Sequence, residues 1–137
     1  ITKVGQSNLE ERVQGYKDEF AQNFPGIEIV QVIDDQSDSA KAADGLKAVL
    51  QRFPDLKGVG CVEAAGGVGA ATAVKELDLV GKVMIVSMDR DDGTLKFIED
   101  GVISAEGTPQ YIFQSKPTPG IRALIEGSLY ENRLARA

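Results

Sequence analysis

Three strand ends and one arginine carry the chemistry this sequence offers. Asp89 closes the apolar run Lys82–Met88 and leads into Arg90-Asp91-Asp92-Gly93. Glu63 stands directly after Leu56–Val62, and Asp34-Asp35-Gln36-Ser37-Asp38 follows Ile27–Ile33. Arg12 sits one turn into the first helical stretch. A guanidinium presents a planar fork of donors, and carboxylates accept from adjacent hydroxyls. Arg12, Glu63 and Asp89 together therefore suit recognition of a small polyhydroxylated molecule, whose every hydroxyl both donates and accepts. In an open α/β sheet, ligands bind beyond the carboxyl ends of the strands, which is where these residues fall.

Each feature also has a plainer reading. Arg12 is equally a solvated surface residue or an i,i+4 partner of a nearby glutamate. The acidic residues Asp34, Asp35, Asp38, Asp89, Asp91 and Asp92 resemble the acidic loops that hold Mg²⁺ in phosphate-receiving domains, but such domains place a Lys at a later strand end, where this chain has Ala105-Glu106. Gly67-Val68-Gly69 lies between a strand and a helix, with Thr72 at the third glycine position and Asp89 about 20 residues on, a partial dinucleotide fingerprint. Glu63 at the head of that loop would set negative charge against a pyrophosphate. Close packing of a helix on the sheet is the simpler role for these small residues.

The elements that must position these groups alternate. Helical spacing runs over Asn8–Phe24 (Leu9, Val13, Tyr16, Phe20), with Ser7 or Asn8 as the expected cap. The next helix spans Ser39–Phe53 (Ala42, Leu46, Val49, Leu50), and Gly67–Leu77 and Gly93–Asp100 follow. Expected strands are Ile1–Val4, Ile27–Ile33, Leu56–Val62, Lys82–Met88 and Val102–Ala105. The near-continuous apolar character of Leu56–Val62 and Lys82–Met88 suits strands covered on both faces. Alternation at this spacing means right-handed βαβ units and a parallel sheet of about five strands in a three-layer α/β/α sandwich, flavodoxin-like in type. Tyr111–Phe113 and a helix over Gly120–Arg136 would add one further βα unit.

Composition narrows the function. The chain has 137 residues, enough for one domain with its own core. A net charge of −6 argues against nucleic acid or an anionic membrane surface as partner. There is no histidine, so no Ser-His or Cys-His nucleophile can form within the chain. The single cysteine, Cys61, lies in an apolar strand and reads as a buried structural thiol. No apolar stretch approaches the ~20 residues of a membrane-spanning helix. No catalytic group, metal site or cofactor is expected. The opening Ile-Thr-Lys, with no initiating Met and a short first strand, reads as a piece of a longer protein.

Gly5-Gln-Ser-Asn-Leu-Glu-Glu-Arg-Val-Gln-Gly-Tyr16, Phe53-Pro-Asp-Leu-Lys-Gly-Val59, Met88-Asp-Arg-Asp-Asp-Gly-Thr-Leu95 and Ile98-Glu-Asp-Gly-Val-Ile-Ser-Ala105 resemble the C-terminal lobe of type I periplasmic sugar-binding proteins, the substrate-binding components of ABC importers. The resemblance covers about Gly5 to Ala105 and leaves residues 106–137 as an unrecognised tail within a single lobe. It implies that Arg12, Glu63 and Asp89 contact ligand, with Gln6, Asn8 and Ser37 nearby and Gln110 approximately placed in the segment crossing back to the other lobe. It also implies a periplasmic or extracellular location. The partners implied are a sugar, a missing N-terminal lobe and an ABC permease, with a homodimer through the exposed lobe face as a further expectation. Glu63 departs from the Asn or Asp usual in the family, which leaves the ligand's identity open. Two alternatives remain at this point: the effector-binding core of a lac-repressor-type regulator, which would be cytoplasmic, and a nucleotide-binding enzyme domain.

Overall fold

The computed structural model describes residues 1–107, with the backbone alone for 105–107. Gln110, the Tyr111–Phe113 strand and the Gly120–Arg136 helix lie outside the described residues. The elements in chain order are α1 (Ser7–Asn23), α2 (Ser39–Arg52), β1 (Gly58–Gly60), α3 (Ala64–Glu76), β2 (Met84–Met88), α4 (Asp92–Glu99) and β3 (Ala105–Gly107). The three strands form a parallel sheet in the order β1-β2-β3, with Gly58 level with Met84 and Val86 level with Ala105.

Backbone hydrogen bonds carry this ladder two segments further. The Ile1 amino group donates to the Gly60 carbonyl at 2.7 Å, and Val62 N–H donates to the Ile1 carbonyl at 3.1 Å, the pattern of a parallel neighbour. On the other side, Thr2 N–H reaches the Ile33 carbonyl and Asp35 N–H reaches the Thr2 carbonyl, both at 2.9 Å, giving a parallel bridge between Thr2 and Asp34. Residues 33–35, residues 1–2, β1, β2 and β3 therefore lie side by side.

Helices cover both faces of this sheet. Successive residues Gly60 and Cys61 point to opposite sides, as a strand requires. A Cβ on Gly60 would lie 3.1 Å from the Tyr16 ring of α1, while one on Gly66 of α3 would lie 3.3 Å from Cys61 Cβ. The core on the α2–α3 side gathers Leu46, Leu50, Cys61, Ala70, Val74 and Ile85. Its close packing depends on small residues. Gly69 of α3 sits against the backbone of Ser39 and 2.5 Å, measured from an added Cβ, from the Ala42 Cβ of α2.

Element boundaries depart from expectation in instructive ways. The stretch Ile27–Ile33 is not a strand; only Asp34, just beyond it, makes a bridge, and Ile27 and Ile29 are 49% and 37% exposed. Thr2 stands level with Asp34 across the single parallel bridge this segment makes. Strand β3 begins at Ala105, where the expected strand over Val102–Ala105 ends. Val102 and Ile103 instead donate their N–H groups to the Phe97 carbonyl at 2.8 and 3.1 Å, closing the end of α4 around Gly101 at φ 72°. Helix α3 starts three residues before the expected Gly67, because Ala64 and Ala65 are good helix formers and the buried glycines serve packing. The cap of α1 is Gln6, without a side-chain bond, rather than Ser7 or Asn8. There Gly5 N–H donates to Glu10 Oε1 at 3.0 Å.

Candidate functional site

Three loops meet at the carboxyl edge of the sheet, and two of them have unusual backbones. Gln36 (φ 53°), Ser37 (φ 57°) and Asp89 (φ 70°) all occupy the left-handed region. Such conformations cost on the order of 1 kcal/mol for a residue with a Cβ and cluster where a loop is shaped for a ligand. The loop holding Gln36 and Ser37 is pinned from within. Asp34 Oδ1 accepts from Val4 N–H at 3.1 Å and Gln36 N–H at 3.2 Å, and Asp38 Oδ1 caps α2 by accepting from Ala40 and Lys41 N–H at 2.8 and 3.1 Å.

Arg12 reaches this edge from α1. Its Nη1 donates to the Val62 carbonyl at 2.6 Å, so the guanidinium is fastened beside the residue that precedes Glu63. The i,i+4 pairing with a glutamate is not what holds it; among the described residues the salt bridges involve Lys47 and Lys96. Glu63 is the N-cap position of α3 but leaves the helix N–H groups uncapped by its side chain. Its Oε2 instead accepts from the Ser37 hydroxyl at 2.8 Å. Burial first, and then the neighbouring Asp35 carboxyl, pushes the Glu63 carboxyl above its ordinary range, against the opposing pull of Ser37 and Lys3. Asp89 follows β2 directly, and the β1–β2 offset carried onward sets it level with Glu63.

The structure thus brings Arg12, Glu63, Ser37 and Asp89 to one edge. Gln6 and Asn8 lie at the start of α1, exposed, with Gln6 engaged through its carbonyl to Leu9 and Glu10 N–H at 3.0 and 2.9 Å. An open groove of about 250 Å³ runs along this edge, lined by Ser37, Ser39, Ala64, Ala65, Val68 and Asp91. A second groove of about 350 Å³ lies elsewhere, between α1 and residues 25–29, and is lined mostly by apolar side chains such as Phe20, Ala21, Pro25 and Ile27. It lacks the convergent polar groups that orient a small polar ligand.

Sequence reasoning gave no site role to two of the residues here. Asp91 caps α4, accepting from Thr94 N–H at 2.9 Å and from the Thr94 hydroxyl at 2.7 Å, and also lines the groove. The Asp-x-x-Thr spacing is its signal. Asp35 is wholly buried behind Ser37 and Glu63; inside a run of acidic loop residues, nothing marks it as the inward-facing one.

The plainer readings resolve on geometry. Gly67 and Gly69 are interior residues of α3, packed against Ser87 of β2 and against α2, rather than a turn open to a phosphate. The carboxylates of Asp34, Asp38 and Asp91 serve turns and caps, and no cluster of three or more His, Cys, Asp or Glu able to hold a metal occurs among the described residues. Cys61 is fully buried and its thiol is pushed up to about 12 by burial, as a structural cysteine should be.

Residues 2–118 match the family model of the periplasmic binding protein domain. The D-allose-binding periplasmic protein of Escherichia coli (strain K12) is 31% identical over 103 residues, covering 75% of this chain and 33% of that protein. An arabinose-binding protein from Geobacillus stearothermophilus superposes with a TM-score of 0.74 at 33% identity, covering 77% of this chain and 36% of that one. A sugar-binding protein of a sugar ABC transporter from Bacillus halodurans does so with a TM-score of 0.75 at 37% identity, over 77% of this chain and 36% of its own. The chain spans about a third of the length of each of these relatives. Its α/β architecture with a parallel sheet is the type I periplasmic-binding-protein fold, and the chain belongs to the periplasmic binding protein domain family.

Proposed function

We propose that this chain is the C-terminal lobe of a sugar-binding component of an ABC importer, working outside the cytoplasm and without catalysis. The observation that carries the reading is the convergence of Arg12, Ser37, Glu63 and Asp89 on one sheet edge, with Ser37 and Asp89 held in left-handed conformations. Relatives named for D-allose and arabinose binding and for sugar ABC transport support the same ligand class. Arg12 donates to ring or hydroxyl oxygens through the guanidinium donors left free by Val62, and Asp89 and Glu63 accept from hydroxyls. Gln6, Asn8 and Ser37 complete the near side, and Gln110 is assigned to the ligand set from the resemblance alone. A complementary lobe supplies the remaining contacts, and a permease receives the sugar. The domain occupies the whole chain as one lobe, with residues 106–137 as its tail.

One lobe encloses only part of a ligand, so affinity here is weak; tight sites bury ~70–90% of the ligand surface. A ¹⁵N HSQC titration with D-allose, arabinose, ribose, glucose and galactose, and separately with NAD and ATP, tests the reading. Shifts with a pentose or hexose at millimolar concentration support it, and shifts with nucleotide alone contradict it. The open site edge also offers a face for self-association. A light-scattering mass equal to one chain at high concentration would count against that homodimer.

A further inference from the structure

Ser37 holds two carboxyl groups at once. Its backbone N–H donates to Asp35 Oδ1 at 3.1 Å, and its hydroxyl donates to Glu63 Oε2 at 2.8 Å. The second oxygens, Asp35 Oδ2 and Glu63 Oε1, are both buried and meet no donor among the described residues. Asp35 is 0% exposed, and the two Ser37 bonds hold its carboxyl beside that of Glu63. Two ionised carboxylates can only accept, and two charges brought together out of water repel strongly. A single proton removes both difficulties.

We propose that Glu63 keeps a proton on Oε1 and donates it to Asp35 Oδ2, and that this makes the strand-end site pH-responsive. The bonds then close a ring: Ser37 N–H to Asp35, Glu63 O–H to Asp35, and Ser37 O–H to the Glu63 carbonyl oxygen. Every buried oxygen in the ring has a partner. Asp35 is a positioning residue in this arrangement, acting on ligand through Glu63 and Ser37. The charged groups bordering the pair are Lys3 on the first segment, Arg12 on the Val62 carbonyl, Asp34 and Asp38 in the same loop, and Asp91 across the groove. Behind it stands the neutral Cys61 thiol. Burial of Glu63 and the Asp35 charge outweigh the cations in setting the direction.

The sign follows from linkage. The folded chain holds a proton that an unfolded glutamate releases, so the pair stabilises the fold at acidic pH and loses that contribution as pH rises from the ordinary glutamate range through the raised value. Glu63 accepts more strongly from a ligand hydroxyl once its proton is lost, so sugar affinity rises with pH over the same window. That last consequence rests on the sugar reading; the retained proton does not.

The test is a ¹³C-carboxyl NMR titration of ligand-free, EDTA-treated protein labelled at Asp and Glu. The Glu63 Cδ midpoint is expected above the ordinary glutamate value, moving down in Asp35→Asn and further up in Ser37→Ala. Ser37 is exposed, so the second variant keeps the test intact if the first fails to fold. A midpoint at or below the ordinary value, or one unmoved by the substitutions, would overturn the proposal. So would carboxyl signals that shift on addition of Mg²⁺ or Ca²⁺, since a cation rather than a proton would then bridge the pair. Because no sugar is present, a failure here leaves the sugar reading standing, and the converse holds.

Discussion

Arg12 Nη1 donates to the Val62 carbonyl at 2.6 Å, tying α1 to the backbone that delivers Glu63. This bond spans the two halves of the site and fixes a side chain that would otherwise sample many rotamers. A charge-assisted bond of this kind is worth about 1.5–3 kcal/mol. Arg12→Ala is therefore expected to lower unfolding free energy by about 1–3 kcal/mol in urea and to abolish sugar-induced shifts. Arg12→Lys retains the charge and a donor for the carbonyl and should recover part of the stability but not the binding, because an ammonium lacks the planar fork that serves the carbonyl and a ligand together. Recovery of both in the lysine variant would show that charge alone suffices.

The glycines of α3 make a separate prediction. A Cβ at Gly67 would overlap the Ser87 hydroxyl, whereas one at Gly69 would meet the backbone of Ser39 and Ala43. Overpacking a core of this density costs about 1–3 kcal/mol. Gly67→Ala should be partly rescued by adding Ser87→Ala, which removes the hydroxyl but keeps a Cβ 2.9 Å away, while Gly69→Ala meets backbone and should stay destabilised. Thermal melts of the two single variants and the double variant separate these outcomes; absence of coupling between positions 67 and 87 would refute the contact.

Alkaline pH should weaken the fold in a defined window. Burial pushes the Cys61 thiol up from 9.0 to about 12, and burial followed by the nearby Cys61 pushes the Tyr16 phenol up from 10.0 to about 12. The folded chain thus keeps protons that the unfolded chain releases. Stability from these groups is complete below pH 9 and is lost as pH climbs toward about 12. Urea midpoints measured across that range should fall, and Cys61→Ala should flatten the early part of the decline. A midpoint independent of pH up to 11 would contradict the burial of both groups.

Two helix caps can be compared directly. Asp38 and Asp91 each accept backbone N–H groups at the start of a helix, and replacing either by Ala should cost about 1 kcal/mol. Only Asp91 also lines the groove, so only Asp91→Ala should alter ligand shifts beyond what its stability loss explains. Equal effects of both variants on binding would remove Asp91 from the site.

The strand-end grammar was legible because an apolar run that stops at a carboxylate has few other uses. It pointed to the loops that carry Glu63, Asp89 and Ser37, and the helix periodicity placed Arg12 on α1. Hydrogen-bond pairing was not legible. Ile27–Ile33 has the apolar alternation of a strand yet is not assigned as one, and propensity cannot report hydrogen-bond pairing. Val102 and Ile103 read as a strand because they are apolar, while their N–H groups answer to the carbonyl of Phe97. Burial of Asp35 was also hidden, since charge in a loop ordinarily means exposure and only the tertiary fold turns this one carboxyl inward.

The account's central claim is that the polar strand edge, rather than the apolar groove beside α1, receives the sugar. Chemical-shift mapping with the best monosaccharide of the panel, including the Arg12 Nε–H signal, tests it most directly. The predicted result is a cluster of shifts at residues 34–38, 63–65 and 89–91 with movement of the Arg12 signal, all absent in Asp89→Asn. Shifts confined to Lys17, Phe20 and Ile27–Ile29, unchanged in Asp89→Asn, would contradict it.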